Sequence, residues 1–188
     1  MNRRLALLWI TLSSLLTLGC GRPAATAQDA QLVSSRGEKS AFSEYVGRSP
    51  WTVFVFVSRD CPCLDAHVPR LEQLVRDYAS RGVQFVGVDS EVDATPESVA
   101  QQARKLPFAV LVDDGAILAN AFGAKYATYS ALVDREGRVV YRGGIDTDKR
   151  KMHDDATPYL RDAIDDVLAG APPRRATGKA LGCTLRKW

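Results

Sequence analysis

The chain has 188 residues, of which 46% are hydrophobic and 8% aromatic, and it carries a formal net charge of +3. This size and composition predict one globular domain and exclude a disulfide-stapled mini-domain, which would hold many more cysteines in a shorter chain. Charge is unevenly distributed, since residues 28–172 hold 17 basic and 22 acidic residues, whereas residues 173–188 hold five basic residues and no acid. No basic face interleaved with aromatic residues occurs in the sequence, so we expect no nucleic-acid partner.

The N-terminus has the pattern of an export signal. A basic start, Met1–Arg4, precedes the apolar run Leu5–Leu18, which is too short to span a bilayer because a span requires about 20 residues. The segment ending in Cys20 resembles the lipobox of bacterial lipoproteins, which implies a signal peptide over residues 1–20 and a lipid anchor on Cys20. Alternatively, cleavage at Ala25–Ala27 would end the signal at residue 27 and release a soluble protein. Either route predicts a periplasmic location.

The remaining pattern predicts alternating strands and helices after a small, polar spacer over residues 21–39. The run over residues 51–57 is almost continuously apolar, which is typical of a strand covered on both faces. A strand–helix–strand order follows and implies a parallel, right-handed crossover. The predicted elements are a strand over 51–57, a helix over 64–80, a strand over 83–88, a helix from 95, a strand over 108–112, a short helix over 117–122, a hairpin of 130–133 and 138–142, and a last helix from 158 to about 170. A basic tail, residues 172–188, follows the predicted domain of residues 40–171.

Cys61-Pro62-Cys63 lies where the strand over 51–57 passes into the first predicted helix. Unpaired backbone N–H groups and the helix dipole stabilise an anion at a helix N-terminus, so a thiolate is expected to form there readily. The thiolate is the nucleophile in disulfide exchange. The alternative interpretation is a pair of buried structural thiols, or a solvent-facing pair without a role.

Cysteine arithmetic leaves one thiol unmatched. If Cys20 is lipidated or removed, then Cys61, Cys63 and Cys183 remain, and three thiols cannot all pair within one chain. One of them is therefore free, transiently paired with a partner, or bound to a metal.

Four segments resemble the extracytoplasmic thioredoxin-like and peroxiredoxin-like redoxin family: Ser58–Leu71, Leu106–Asp113, Ala131–Gly143 and Ala180–Cys183. The resemblance covers roughly residues 40–185. It implies an α/β thioredoxin-like fold, with a central mixed sheet that contains a parallel strand–helix–strand unit and ends in a hairpin plus a helix. It also implies an enzyme, either a thiol-disulfide oxidoreductase or a thiol peroxidase, which acts on protein thiols and disulfides or on small hydroperoxides and requires no cofactor.

Within this resemblance Cys61 matches the attacking cysteine, but three positions depart from the family patterns. Cys63 stands one residue early for a Cys-x-x-Cys motif, and Leu64 occupies the expected second position. Thr128 fills the place of the cis-proline that precedes the hairpin strand of thioredoxins. Ser58 supplies the hydroxyl that peroxiredoxins place three residues before their reactive cysteine, without the proline that usually precedes it. Ser58 and Thr128 are therefore predicted supporting residues.

The predicted reaction begins with attack by Cys61 on a disulfide or a hydroperoxide. Cys63 would then resolve the mixed disulfide or sulfenic acid. A ring closed across one proline is expected to be strained, and Cys183 is the alternative resolving residue. Cys63 is preferred because Pro173 and the basic run after it predict a tail that leaves the domain.

A rival hypothesis from another class is a copper or zinc carrier with a thioredoxin fold. His67 follows Cys63 by four residues and so shares its helix face, which makes Cys61, Cys63 and His67 a candidate soft metal site, with Cys183 as a possible fourth ligand. The alternative for His67 is an exposed helix histidine. A third hypothesis is a binding module whose thiols are incidental.

Overall fold

Seven strands form one mixed sheet in this computed structural model, which describes residues 26–187. The order across the sheet is β2-β1-β5-β4-β3-β6-β7. The strands are β1 (Gln31–Val33), β2 (Lys39–Ala41), β3 (Trp51–Val57), β4 (Val83–Asp89), β5 (Val110–Asp113), β6 (Tyr129–Asp134) and β7 (Val139–Gly144). The helices are α1 (Phe42–Val46), α2 (Pro62–Tyr78), α3 (Pro96–Ala103), α4 (Ile117–Phe122) and α5 (Tyr159–Leu168).

The centre of the sheet confirms the predicted α/β architecture. β3 pairs in parallel with β4 from Trp51↔Val83 to Val57↔Asp89, and α2 makes the crossover between them. β4 pairs in parallel with β5, whereas β6 runs antiparallel to both β3 and β7. The carboxyl ends of the parallel strands meet at one edge of the sheet, which is where sites form in open α/β sheets.

Aromatic rings fill the core between β3 and α4. Phe122 contacts the rings of Phe42, Phe54 and Phe56 at centroid distances of 5.9, 6.1 and 6.3 Å. All three partners are fully buried, and every residue of β3 after Trp51 is buried as well. The uninterrupted apolar sequence of β3 thus reflects its coverage on both faces.

The sheet begins earlier in the chain than predicted. β1 lies within residues 21–39, which the sequence indicated as a spacer, and it pairs antiparallel with β5 through Leu32↔Asp113. Leu32 is fully buried. Strands of three residues are too short for a recognisable alternating pattern, so β1 and β2 were missed for a physical reason.

The tail does not leave the domain, and that prediction is wrong. Isolated bridges join Tyr126 to Thr184 and Arg142 to Thr177, and Leu185 is only 4% exposed. Acidic side chains of the domain bind the tail's arginines, since Asp166 pairs with Arg174 at 2.6 Å. The opposite charges of tail and domain therefore hold the tail against the fold.

The predicted signal peptide and Cys20 lie outside the described residues. Among residues 26–187, no helix is long and apolar enough to cross a membrane.

Candidate active site

The turn between β3 and α2 places the first thiol. After Ser58 and Arg59, Asp60 adopts a left-handed conformation with φ 54°, which aspartate tolerates better than most residues. Cys61 is the N-cap residue of α2, and its carbonyl accepts a hydrogen bond from the Asp65 N–H at 3.0 Å. Pro62 occupies the first helical position, where the missing N–H leaves nothing unpaired. α2 therefore starts at Pro62, two residues before the predicted start at residue 64 and directly at the motif.

Three thiols meet at this turn. Cys61 and Cys63 are 1% and 2% exposed, and Cys183 from the tail is half-buried beside them. Their three Sγ atoms all lie within 4.8 Å of one another, and all three are free thiols. Cys61, the predicted attacking thiol, is thus buried, and Cys183 on the tail is the more accessible member of the cluster.

Backbone hydrogen bonds fix the position of Cys183. Its carbonyl accepts from the Ala127 N–H at 2.8 Å, and the Leu185 N–H donates to the Lys125 carbonyl at 3.0 Å. Gly182 makes this approach possible, since a Cβ at that position would lie 1.8 Å from the Ala127 carbonyl oxygen. A glycine directly before Cys183 thus lets the tail pack against the segment that leads into β6.

An ion-pair cluster ties the tail to the motif turn. Arg186 contacts the carboxylates of Glu91 at 3.2 Å and Asp93 at 3.0 Å. Asp93 also pairs with Arg59, which lies two residues before Cys61. One carboxylate therefore binds an arginine from each of the two segments that carry Cys61 and Cys183.

The two predicted supporting residues lie near the thiols in different ways. Ser58 is buried, and its hydroxyl donates to the Arg59 carbonyl at 3.2 Å. Thr128 is also buried, with φ 69°, and its N–H donates to the Phe56 carbonyl at 2.9 Å. Its Oγ1 lies 3.2 Å from the Cβ position of Gly182, so Thr128 flanks the tail segment that carries Cys183.

The electrostatic environment differs among the thiols. Burial, together with the nearby Cys61, raises the pKa of Cys63. Burial and a hydrogen bond with Cys61 raise the pKa of Cys183 to about 12. The thiolate form of Cys63 and that of Cys183 are therefore disfavoured. Cys61 is favoured as the nucleophile by its position as the N-cap residue of α2.

His67 does not join the thiols, contrary to the predicted metal site of Cys61, Cys63 and His67. It is 1% exposed, so the alternative of an exposed histidine is wrong as well. Its Nδ1 lies 2.6 Å from the Cys63 carbonyl oxygen and its Nε2 lies 3.2 Å from Asp146 Oδ1. Both ring nitrogens are thus taken up by partners other than the thiols, so neither is directed at the sulfur cluster.

The sequence did not indicate the polar network that continues from His67. Arg70, one turn further along α2, binds Asp146 and also Asp148, the latter at 2.9 Å. Asp148 accepts from the His153 N–H at 2.7 Å. Hydrogen bonds from His153 and Arg70 outweigh burial and lower the pKa of Asp148 to about 2. The network thereby anchors the loop between β7 and α5 to the helix that begins at Cys61.

The chain matches a known protein family and is similar to a curated relative. The AhpC/TSA family matches residues 23–142. The chain is 26% identical over 115 residues to the thiol-disulfide oxidoreductase ResA of Halalkalibacterium halodurans, a match that covers 58% of this chain and 62% of that protein. The chain thus spans less than two thirds of the length of the curated relative that it matches.

Solved structures extend the similarity over most of the fold. A hypothetical protein from Sinorhizobium meliloti has 28% identity and a TM-score of 0.73, covering 88% of this chain and 94% of that one. A thioredoxin-like protein from Aeropyrum pernix has 20% identity and a TM-score of 0.50, covering 61% of this chain and 80% of that one, and this likeness shows the fold alone. The predicted fold class is confirmed, and the chain belongs to the AhpC/TSA family of thioredoxin-like and peroxiredoxin-like redoxins.

Proposed function

We propose that the protein is an extracytoplasmic thiol-disulfide oxidoreductase in which Cys61 is the nucleophile and Cys183 is the resolving cysteine. The observation that carries this proposal is the convergence of three free Sγ atoms within 4.8 Å at a helix N-terminus. Family membership and the similarity to a thiol-disulfide oxidoreductase support the reaction class, either disulfide exchange or peroxide reduction. The export pattern of the first 20 residues supports the location, and Cys20 supplies the proposed lipid anchor.

In the disulfide reaction, the Cys61 thiolate attacks one sulfur of a substrate disulfide. The Cys61–substrate bond forms, the substrate S–S bond breaks, and the expelled substrate thiolate takes up a proton. Cys183 then loses its proton and attacks the Cys61 sulfur, which releases the second substrate thiol. The substrate gains two electrons, and the protein loses two as the Cys61–Cys183 disulfide forms.

With a hydroperoxide, the same thiolate attacks the O–O bond. The Cys61 sulfur takes the distal oxygen as a sulfenic acid, and an alcohol or water leaves after protonation. Attack by Cys183 then forms the same disulfide and releases water. Both reactions therefore converge on one oxidised state of the protein.

Cys183 is preferred over Cys63 as the resolving residue on geometric grounds. Cys61 and Cys63 are separated only by Pro62, so a disulfide ring between them is expected to be strained and to distort the start of α2. The hydrogen bond from His67 to the Cys63 carbonyl holds that turn in place. Cys183 comes from a separate segment that the packed tail already holds at the cluster. Folding has therefore already closed the loop between Cys61 and Cys183, so disulfide formation carries little further entropy cost of loop closure. The preference for Cys63 rested on a tail that leaves the domain, which the structure contradicts.

Peptide mapping after one equivalent of peroxide tests the assignment. The reduced protein is expected to yield mainly a peptide in which Cys61 is linked to Cys183. The Cys63→Ser variant is the matched control and is expected to form the same linkage at a similar rate. A dominant Cys61–Cys63 peptide in the unaltered protein would overturn the assignment of Cys183.

A second candidate function, metal binding, is favoured by the same three sulfurs. Cysteine thiolates select Cu(I) and Zn(II), and three Sγ atoms within 4.8 Å of one another can converge on one ion. The proposed ligands are Cys61, Cys63 and Cys183, with the tail thiol in place of His67.

Metal titration of the reduced protein separates this candidate from the first. If the protein is a carrier, about one Cu(I) is expected per chain, with affinity lowered at least ten-fold by Cys183→Ser because the site loses one of three ligands. His67→Gln is expected to leave the affinity unchanged. Failure of the reduced protein to hold Cu(I) or Zn(II) against a weak competing chelator would exclude the carrier function.

A further inference from the structure

A cavity of about 360 Å³ adjoins the tail side of the thiol cluster, and it is lined by lysines. Its wall includes Gly182, the residue directly before Cys183. Three lysines come from three separate segments, namely Lys125 before β6, Lys149 in the loop after β7, and Lys179 in the tail. We call this cavity the lysine pocket. None of the described residues that line it is acidic.

From these features we propose that the lysine pocket binds the carboxylate of a small anionic thiol, which reduces the Cys61–Cys183 disulfide by attack at Cys183. The proposal rests on the proposed function for the disulfide and adds the class of the electron donor. The lysine pocket would recognise the donor thiol by its charge and shape, which the thiol cluster alone does not do.

The charges around the lysine pocket are predominantly positive. Lys149 is close enough for its charge to favour the Cys63 thiolate, although burial raises the pKa of that thiol overall. The charge of Arg142 likewise favours the ionised form of Tyr129 in the pocket wall, although burial raises the pKa of that hydroxyl overall. The neighbouring acid Asp148 is buried and paired with Arg70 and His153, so it leaves Lys149 free for an anion. A carboxylate entering the pocket thus meets uncompensated positive charge.

Aromatic side chains supply the apolar part of the wall. The Tyr126 side chain is 39% exposed. The Tyr129 hydroxyl donates to the Phe122 carbonyl at 2.8 Å, which fixes the ring. A volume of this size, with apolar walls and a few charged groups, is typical of a site for a small molecule.

A polypeptide is a poorer occupant than a small thiol. An extended peptide would need the backbone of the segment before β6, and the tail already takes it through the Tyr126↔Thr184 bridge and the hydrogen bond from Ala127 to Cys183. What remains beside Cys183 is a side-chain pocket without a free backbone edge. The observations therefore favour a small anion over an acidic segment of a protein.

Exposure and leaving-group chemistry direct the attack to Cys183. Cys61 is 1% exposed, whereas Cys183 is the half-buried member of the pair and directly follows Gly182 of the pocket wall. The donor thiolate bonds to the Cys183 sulfur, the S–S bond breaks, and Cys61 leaves as a thiolate. A second donor thiolate then attacks the donor sulfur, and Cys183 leaves and takes up a proton. Two donor thiols thereby lose two electrons and form their own disulfide, while the protein returns to the dithiol.

Reduction rates of the oxidised protein test the proposal. We expect glutathione and 3-mercaptopropionate, both anionic, to reduce the disulfide faster than cysteamine at equal thiolate concentration, with the advantage lost at high salt. The pocket variant Lys125→Gln/Lys149→Gln/Lys179→Gln is expected to lower the rate with the anionic thiols on the order of ten-fold, and that with neutral 2-mercaptoethanol less than two-fold. The matched control is Lys39→Gln/Arg135→Gln/Lys151→Gln, which changes the net charge equally at exposed positions outside the pocket. It should behave like the unaltered protein.

The outcomes separate this proposal from the proposed function. If no Cys61–Cys183 disulfide forms, the proposed function fails; if the disulfide forms but the pocket variant and the control variant respond alike, only the pocket proposal fails. A second measurement needs no redox step. S-methylglutathione, added to the reduced protein, is expected to shift the NMR signals of the Gly123 and Gly182 amides, and the shifts should vanish in the pocket variant. Unchanged amide signals in the unaltered protein would overturn the proposal.

Discussion

Cys61→Ser is expected to lower turnover of a model disulfide by on the order of 10³-fold or more, because it removes the nucleophile on which both half-reactions depend. Cys183→Ser should allow the first attack but not the resolution, so mixed disulfides between Cys61 and its substrates should accumulate. Mass spectrometry of the alkylated protein after a single turnover measures both effects.

Cys63→Ser serves as the internal reference for these two variants. It removes a thiol from the same cluster, yet we expect its turnover to stay within a few-fold of the unaltered protein. If Cys63→Ser rather than Cys183→Ser accumulates mixed disulfides, then the motif pair is the redox couple. Undiminished turnover in Cys61→Ser would contradict the enzymatic function altogether.

Gly182→Ala is expected to slow formation of the Cys61–Cys183 disulfide by about 10²-fold without unfolding the domain. The new methyl group would lie 1.8 Å from the Ala127 carbonyl oxygen, so the tail must shift away. A displacement of about 1 Å between reacting groups can cost a rate factor of this size. Stopped-flow measurement of disulfide formation after a peroxide pulse, with thermal unfolding as a check on the fold, gives the result.

The control for Gly182→Ala is Ala176→Ser, which lies in the same tail at an exposed position. It should leave both the rate and the thermal transition unchanged. A normal rate in Gly182→Ala would mean that the close packing of the tail does not set the position of Cys183.

The elements predicted correctly are those that residues close together in the sequence specify, through an apolar run, a helix cap or a turn. β3 was predicted from an uninterrupted apolar run. The helix predicted from residue 95 is α3, and Thr95 caps it by accepting a hydrogen bond from the Ser98 N–H at 3.2 Å. The β6–β7 hairpin followed from Asp134 and Gly137, whose turn the Asp134 carboxylate holds through the Arg138 N–H at 2.8 Å. Such signals lie within a few residues of the structure that they specify.

The rest of the site depends on contacts between residues far apart in sequence. Nothing near His67 indicates that Asp146 meets it across the fold, so its helical spacing from Cys63 suggested a metal ligand instead. Likewise, the basic composition of the tail gave no sign that Glu91 and Asp93 receive Arg186. Composition described these charges correctly, but only the fold determines which opposite charges they meet.

The docked tail also sets an order of events in the synthesis of the chain. Cys61 leaves the ribosome 122 residues (183 − 61) before Cys183, an interval of about 6–24 s at about 5–20 residues per second. During that interval the nascent chain holds its nucleophile without the tail thiol. The three-sulfur centre is therefore assembled only after Cys183 has emerged, when all strands of the sheet beneath it have already been made.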